Sequence, residues 1–174
     1  MTRASVLARR GALWAVAVPA MLAASPAYAA ERDGDAEAEI LEQITLTQVS
    51  GLDFGTIIPS STPGRINVRR NNDTCRARGG VTLVGTDCQR GEFLITGPSR
   101  QRVRITLASA PITLTQQSGS ATMVMDRVRI NGGRNKRLNA AGQRTFYVSG
   151  RLQVGANQDP GIYDGTFNVT VDYR

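Results

Sequence analysis

The chain has 174 residues, of which 21 are basic and 14 acidic, with two cysteines and no histidine. It therefore lacks the most common general base and a common metal ligand, and it has no Gly-x-Ser-x-Gly or phosphate-loop motif. We expect no enzyme, no cofactor and no metal site.

Residues 1–29 predict an export signal. Arg9 and Arg10 lie in a positively charged start, residues 11–24 are almost all apolar, and Ala27-Tyr28-Ala29 fits a small-x-small cleavage site. The apolar run is too short to span a bilayer, so we expect no membrane span in the mature chain. Ordinary secretion is favoured, and the paired arginines leave a twin-arginine route open. Cleavage leaves 18 basic and 14 acidic residues, a modest excess that argues against a nucleic-acid partner.

Residues 30–43 form a predicted N-terminal extension that is acidic and poor in apolar residues. One interpretation is a solvated tail. The other interpretation is a β-strand composed of small residues, because apolar side chains of one parity alternate with acidic ones. A calcium site at Asp33, Asp35 and Glu37 is a weaker alternative, since no loop would hold these ligands in place. The apolar residues of this parity, continued into the next segment, are Ala36, Ala38, Ile40, Ile44 and Leu46.

Residues 44–174 predict a single β-sandwich domain, because short alternating runs are separated by turn residues and no helical period is sustained. Turns are predicted at glycine and proline pairs such as Pro63-Gly64 and Gly79-Gly80. The predicted strands are 44–47, 65–68, 81–84, 92–96, 102–107, 112–115, 122–125 with 127–130, 145–148, 151–154 and the C-terminal run.

Cys75 and Cys88 are predicted to form a disulfide. An even number of cysteines in an exported chain favours pairing, and a metal site would need more ligands.

The C-terminal run begins at Gly161 and alternates strictly at its end. Phe167, Val169, Val171 and Tyr173 have one parity, and polar residues have the other. This is the pattern of a strand with one buried face.

Four segments carry a resemblance to a known family: Leu52-Asp-Phe-Gly-Thr56, Phe93–Gly97, Val148–Val154 and Gly161–Tyr173. The chain resembles the exported bacterial β-domains of the domain of unknown function 4402 family, which are similar to chaperone–usher fimbrial subunits and spore coat protein U-like domains. The glycine fourteenth from the end and the penultimate tyrosine match the C-terminal pattern of pilus subunits. The closely spaced cysteines depart from the pilin disulfide, which closes a longer loop.

The resemblance implies an immunoglobulin-like sandwich, incomplete in the manner of pilins, whose missing strand is supplied by the next subunit. The donor would be Ala36, Ala38, Ile40, Ile44 and Leu46. Glu42 shares their parity, so we expect a bend or bulge at Leu41 to Gln43, and a donor that stops at this bend is the alternative. The acceptor would be the C-terminal strand, with Gly161 at its entry and Phe167, Val169, Val171 and Tyr173 as the groove floor. The implied partners are neighbouring pilin-like subunits, a periplasmic chaperone and an outer-membrane usher. The implied location is the periplasm in transit and then the cell surface.

Two other functions stay open. A self-contained secreted module could bind carbohydrate or another surface polymer, although few aromatic residues are available for stacking on sugars. Arg102 and Arg104 alternate with apolar residues and indicate a solvent-facing surface. An enzyme would have to use two carboxylates, as glycosidases do, and Asp53 is better interpreted as a turn or edge-strand residue.

Overall fold

The computed structural model describes residues 37–40 and 42–174, so the predicted leader and Ala36 lie outside the described residues. The described part is all-β, and it contains no helix of the length and hydropathy that a membrane crossing needs. Its strands are β1 (Thr45–Ser50), β2 (Thr56–Val68), β3 (Cys75–Val84), β4 (Gly91–Thr96), β5 (Arg102–Leu107), β6 (Ile112–Gln116), β7 (Thr122–Ile130), β8 (Asn135–Arg137), β9 (Gln143–Val154), β10 (Tyr163–Asp164) and β11 (Val169–Tyr173).

The strands form two antiparallel sheets. Sheet 1 has the order β1-β4-β9-β7-β6-β10, with β2 paired to β9 and β3 paired to β2. Sheet 2 has the order β11-β5-β8. The runs β1-β4-β9-β7 and β11-β5 correspond to strands A-B-E-D and F-C of an immunoglobulin-like sandwich, in which strand G lies beside F. The predicted sandwich is confirmed, and among the described residues no strand occupies the position beside β11.

β9 organises sheet 1 because its two halves have different neighbours. Residues 143–148 pair with β4, and residues 151–154 pair with β2. β7 lies on the other side of β9 and pairs with its residues 148–153. Two shorter strands were predicted in this region, but Ser149 and Gly150 continue the ladder with β7, so the strand is unbroken.

Pro63-Gly64 and Gly79-Gly80, predicted as turns, lie inside β2 and β3. Gly64 pairs with Gly79 where the register of this hairpin shifts. A Cβ added to Gly64 would lie 2.7 Å from both Cγ atoms of Val81, and Gly79 has a φ of +78°. These glycines therefore permit close strand contact and a local bulge, and they do not end the strands.

Two apolar clusters fill the interior. Phe93 stacks on Phe146 in cluster 2, with ring centroids 5.3 Å apart. Phe167 packs against both clusters. Cluster 1 consists of Phe54, Ile66, Val68, Val81, Ile112, Leu114, Met125, Leu152 and Val154. Cluster 2 consists of Phe93, Ile95, Val103, Ile105, Ile130, Leu138, Phe146 and Val148.

The predicted disulfide between Cys75 and Cys88 is confirmed, with Cα atoms 6.1 Å apart. It ties the start of β3 to the loop before β4. Beside it, the carboxylate of Asp73 accepts hydrogen bonds from the side-chain Nε and the backbone N–H of Arg90, each at 2.9 Å. These two bonds hold the pKa of Asp73 below its ordinary value.

Candidate functional site

The outer edge of β11 is the candidate functional site. β11 pairs with β5 along one edge only, with Val171 opposite Ile105. Among residues 37–40 and 42–174, no strand pairs with its other edge. An unpaired edge of this kind presents backbone donors and acceptors to a further strand.

The hydrogen bonds to β5 show which backbone groups remain free. Asn168 O accepts from Ala108 N at 2.8 Å, and Arg174 N donates to Arg102 O at 3.0 Å. In an antiparallel ladder such pairs alternate with pairs that exchange no hydrogen bonds. The N–H and C=O groups of residues 168, 170, 172 and 174 therefore point toward β5, and those of Val169, Val171 and Tyr173 point toward the open edge.

The side chains of β11 divide in the same alternating way. Val169 and Val171 are half-buried and pack against cluster 2, whereas Thr170 and Asp172 are exposed. The apolar face of β11 is therefore covered by its own core on one side and left open along the unpaired edge.

β1 forms the other wall of this opening. It is the terminal strand of sheet 1, and it pairs with β4 of the same chain, with Leu46 opposite Ile95. Ile44 and Leu46 are half-buried against cluster 2, which also receives Val171 of β11. The hydroxyl of Tyr173 donates to the backbone carbonyl of Glu42, so the segment that leads into β1 meets the end of β11. We call the space between these two sheet edges the β1–β11 groove.

The residues of the predicted donor strand fall in different places. Ile44 and Leu46 lie in the groove wall of their own chain, so they are committed to this domain. Ile40 is 95% exposed and fills no core. Ala38 is also exposed, and Ala36 lies outside the described residues. The carbonyl of Glu42 is also held by Tyr173 of the same chain. The part of the extension that is free to act as a donor therefore ends before Glu42.

The predicted C-terminal strand is divided in the structure. Tyr163 and Asp164 pair with β6 of sheet 1 as β10, and the chain then crosses to sheet 2 before β11. Gly161 lies before β10 and not at the entry of β11. It has a φ of +153°, and a Cβ there would lie 2.7 Å from Nε2 of Gln116. Its role is thus to let the loop pass close to β6.

A second opening lies at the far end of cluster 1. It is a cavity of about 520 Å³ lined by apolar residues that include Phe54, Leu114 and Tyr163. Asp53 also lines it, and its carboxylate accepts a hydrogen bond from Gly55 N at 2.8 Å, which is a local turn contact. Within the described part of the chain, no group of three or more potential metal ligands comes together.

Sequence reasoning missed two elements of the groove. It placed Ile44 and Leu46 on a donor strand, whereas these residues form a wall. It also omitted the contact between Tyr173 and Glu42, because alternation reveals which side chains share a face but does not reveal which distant residue they meet.

Residues 44–173 match the model of a family described as Domain of unknown function (DUF4402). No curated protein matches the chain.

Proposed function

We propose that this chain, which belongs to the DUF4402 family, is a structural subunit of a surface fibre that assembles by donor-strand exchange. The observation that carries the proposal is the unpaired edge of β11 in the β1–β11 groove. The extension before Glu42 of one subunit would enter the groove of the next as the missing strand of sheet 2.

The open edge supplies the polar part of this interaction. Val169, Val171 and Tyr173 present outward N–H and C=O groups, and a donor strand satisfies such groups by main-chain hydrogen bonds. Sequence specificity would come from alternate donor side chains that enter the groove.

The groove also supplies an apolar surface. Ile44 and Leu46 on one wall and Val169 and Val171 on the other are only partly covered by their own chain. Insertion of Ile40, which is exposed here, would contribute about 1.5–3 kcal/mol on full burial. Ala36 and Ala38 would occupy the neighbouring inward positions, where small side chains fit against a closely approaching edge.

The resemblance of the C-terminal run to that of pilus subunits supports the same assignment. An uncovered apolar edge is an aggregation hazard, so a subunit of this kind requires a periplasmic chaperone before assembly and an outer-membrane usher to order it. The predicted leader would deliver the chain to that compartment, and the finished fibre would lie at the cell surface.

The test is to delete residues 30–43 while keeping the leader. We expect the purified variant to remain monomeric, as measured by light scattering and negative-stain microscopy, whereas the full mature chain forms fibres. Because Ile44 remains, β1 and its pairing with β4 stay intact, and thermal unfolding checks that the domain still folds. A synthetic peptide of residues 30–43 is expected to bind the variant and raise its melting temperature.

A matched pair of substitutions refines the test. Ile40→Ser changes an inward position of the extension, and Glu39→Ser changes the adjacent outward position. Only Ile40→Ser is expected to weaken assembly. Assemblies of the deletion variant that equal those of the full chain would refute the proposal.

A further inference from the structure

The outer face of sheet 1 carries a cluster of arginines that takes no part in the proposed fibre assembly. They lie on four adjacent strands, β3, β2, β9 and β7. We call this surface the arginine face, and its members are Arg65, Arg76, Arg78, Arg127, Arg129 and Arg151.

The arginines point away from the core because of strand alternation. Their chain neighbours Ile66 and Leu152 are buried in cluster 1, and Val128 packs against both clusters. Five of the six arginines are exposed, and Arg151 is half-buried. The face is therefore open to a ligand from solvent.

The pairing of the strands brings like charges together. Arg78 lies directly opposite Arg65, and Arg127 lies directly opposite Arg151. Like charges in directly opposed positions destabilise a sheet. One row of paired residues crosses all four strands and extends for about 15 Å at the usual strand spacing. From β3 to β7 it consists of Arg76, Asn67, Arg151 and Arg127.

A single carboxylate, Asp126, lies on these four fully described strands. It accepts hydrogen bonds from Arg151 Nε at 2.7 Å and from Gln153 Nε2 at 2.8 Å. The bond from Arg151 is the main cause that lowers the pKa of Asp126. Asp126 therefore compensates Arg151 and leaves the pair Arg65 and Arg78 without an acidic partner on these strands.

A shallow depression of about 210 Å³ lies in the middle of the arginine face. Its lining includes Arg127, Arg129 and Arg151 together with the half-buried Asn67. Ser149 lies beneath it, buried, with its hydroxyl donating to the backbone carbonyl of Arg129 at 3.4 Å. Guanidinium groups bind carboxylates through two parallel hydrogen bonds, and amide groups suit sugar hydroxyls.

We propose that the arginine face binds an anionic polysaccharide, with its carboxylates on the arginines and a hydroxyl group on the amide of Asn67. Such a chain offers negative charges at successive positions, as the row of arginines requires, and it relieves the repulsion between the opposed arginine pairs. A single-stranded nucleic acid fits less well because its bases need aromatic platforms. Tyr147, the aromatic residue of β9 at this face, has the guanidinium of Arg90 4.0 Å from its ring centre. This site is separate from the β1–β11 groove, so the proposal of polysaccharide binding does not depend on fibre assembly.

The test compares two matched double variants of the mature chain. Arg127→Gln with Arg129→Gln changes alternate residues of β7 on the arginine face. Arg102→Gln with Arg104→Gln changes alternate exposed residues of β5 in sheet 2, with the same loss of charge. The probe is alginate, a polyuronate, with neutral dextran as its uncharged counterpart. Binding is measured by calorimetry at low and at high salt, and thermal unfolding confirms that each variant folds.

We expect the wild-type chain to bind alginate and not dextran, with affinity that falls as salt rises. The β7 variant is expected to bind about fivefold more weakly or worse, and the β5 variant to bind like the wild type. Alginate is also expected to raise the melting temperature of the wild type more than that of the β7 variant. Equal losses in both variants would show attraction by net charge alone and overturn the proposal. Absence of alginate binding, or tighter binding of an oligothymidylate than of alginate, would also overturn it.

Discussion

Two unpaired strand edges of this domain, those of β3 and β11, are built in opposite ways. β3 pairs only with β2 among the described residues, and it carries Arg76 and Arg78 together with a glycine-rich register shift. Charged side chains and bulges are devices that prevent an edge from pairing with another strand. β11 has no bulge, since Val169 to Tyr173 pair with β5 in unbroken register. Its one charged side chain, Asp172, belongs to a residue whose backbone groups point toward β5 and not toward the open edge.

The difference shows that an exposed edge is not by itself evidence of an assembly site. The edge of β3 is guarded, and the edge of β11 is left suitable for another strand. In β11 the free backbone groups and the half-buried valines occur at the same residues, Val169 and Val171. A donor would therefore satisfy hydrogen bonds and bury apolar surface in the same step.

The largest effect is expected from Val171→Pro. The N–H of Val171 points away from β5, so proline removes a donor from the open edge and leaves the ladder with β5 in place. We expect the folded monomer to persist and fibre assembly to be lost, as seen by light scattering and electron microscopy.

Asp172→Pro is the control for that substitution. Residue 172 faces β5, so its replacement breaks the internal ladder and is expected to lower the melting temperature more than Val171→Pro does. If the Val171→Pro variant assembles as well as the wild type, the open edge is not the site of exchange.

A second effect concerns the guarded edge. Replacing Cys75 and Cys88 together by serine removes the link at the start of β3, which closes a separation of 13 residues. We expect the free energy of unfolding to fall by about 3 kcal/mol in denaturant titrations, because a loop of this size loses that much closure entropy when cross-linked. Assembly at high protein concentration should persist, since the disulfide lies away from the β1–β11 groove. An unchanged free energy of unfolding would contradict this expectation.

The smallest effect is expected at Asp73, beside the same disulfide. Its pKa is lowered by the side-chain and backbone hydrogen bonds from Arg90, so its contribution to stability is present above the unfolded-state pKa. This contribution is lost as the pH falls below the ordinary value of 3.8 toward the lowered folded-state pKa. Asp73 is largely exposed, so we expect a difference of no more than about 1 kcal/mol. Melting temperatures measured from neutral to acid pH should converge for wild type and Asp73→Asn at the acid end, and parallel curves would refute the assignment.

Local alternation in the sequence predicts much of this fold. It gives β5 at its observed bounds, 102–107, and the separation of half-buried and exposed side chains along β11. The even number of cysteines, together with the predicted export signal, predicts the disulfide. These features depend on residues that are close in sequence or on a very small number of possible partners.

Other features depend on partners that are distant in the sequence, and they were not predictable in this way. Asn135–Arg137 has no apolar alternation and becomes a strand only because β5 lies beside it. Gly64 and Gly79 are typical turn residues, yet they lie inside strands. Val81 leaves no room for a side chain at Gly64, and the backbone carbonyl of Pro63 leaves none at Gly79. The two walls of the groove and the opposed arginines of sheet 1 likewise follow from strand order, which no local pattern reveals.

β9 has a consequence for how the molecule comes apart. Phe146 and Val148 belong to cluster 2, and Leu152 and Val154, on the same strand, belong to cluster 1. Because β9 contributes to both clusters, separating it from one cluster also disturbs its packing in the other. We therefore expect the domain to unfold as one cooperative unit, with a single transition in thermal or chemical denaturation.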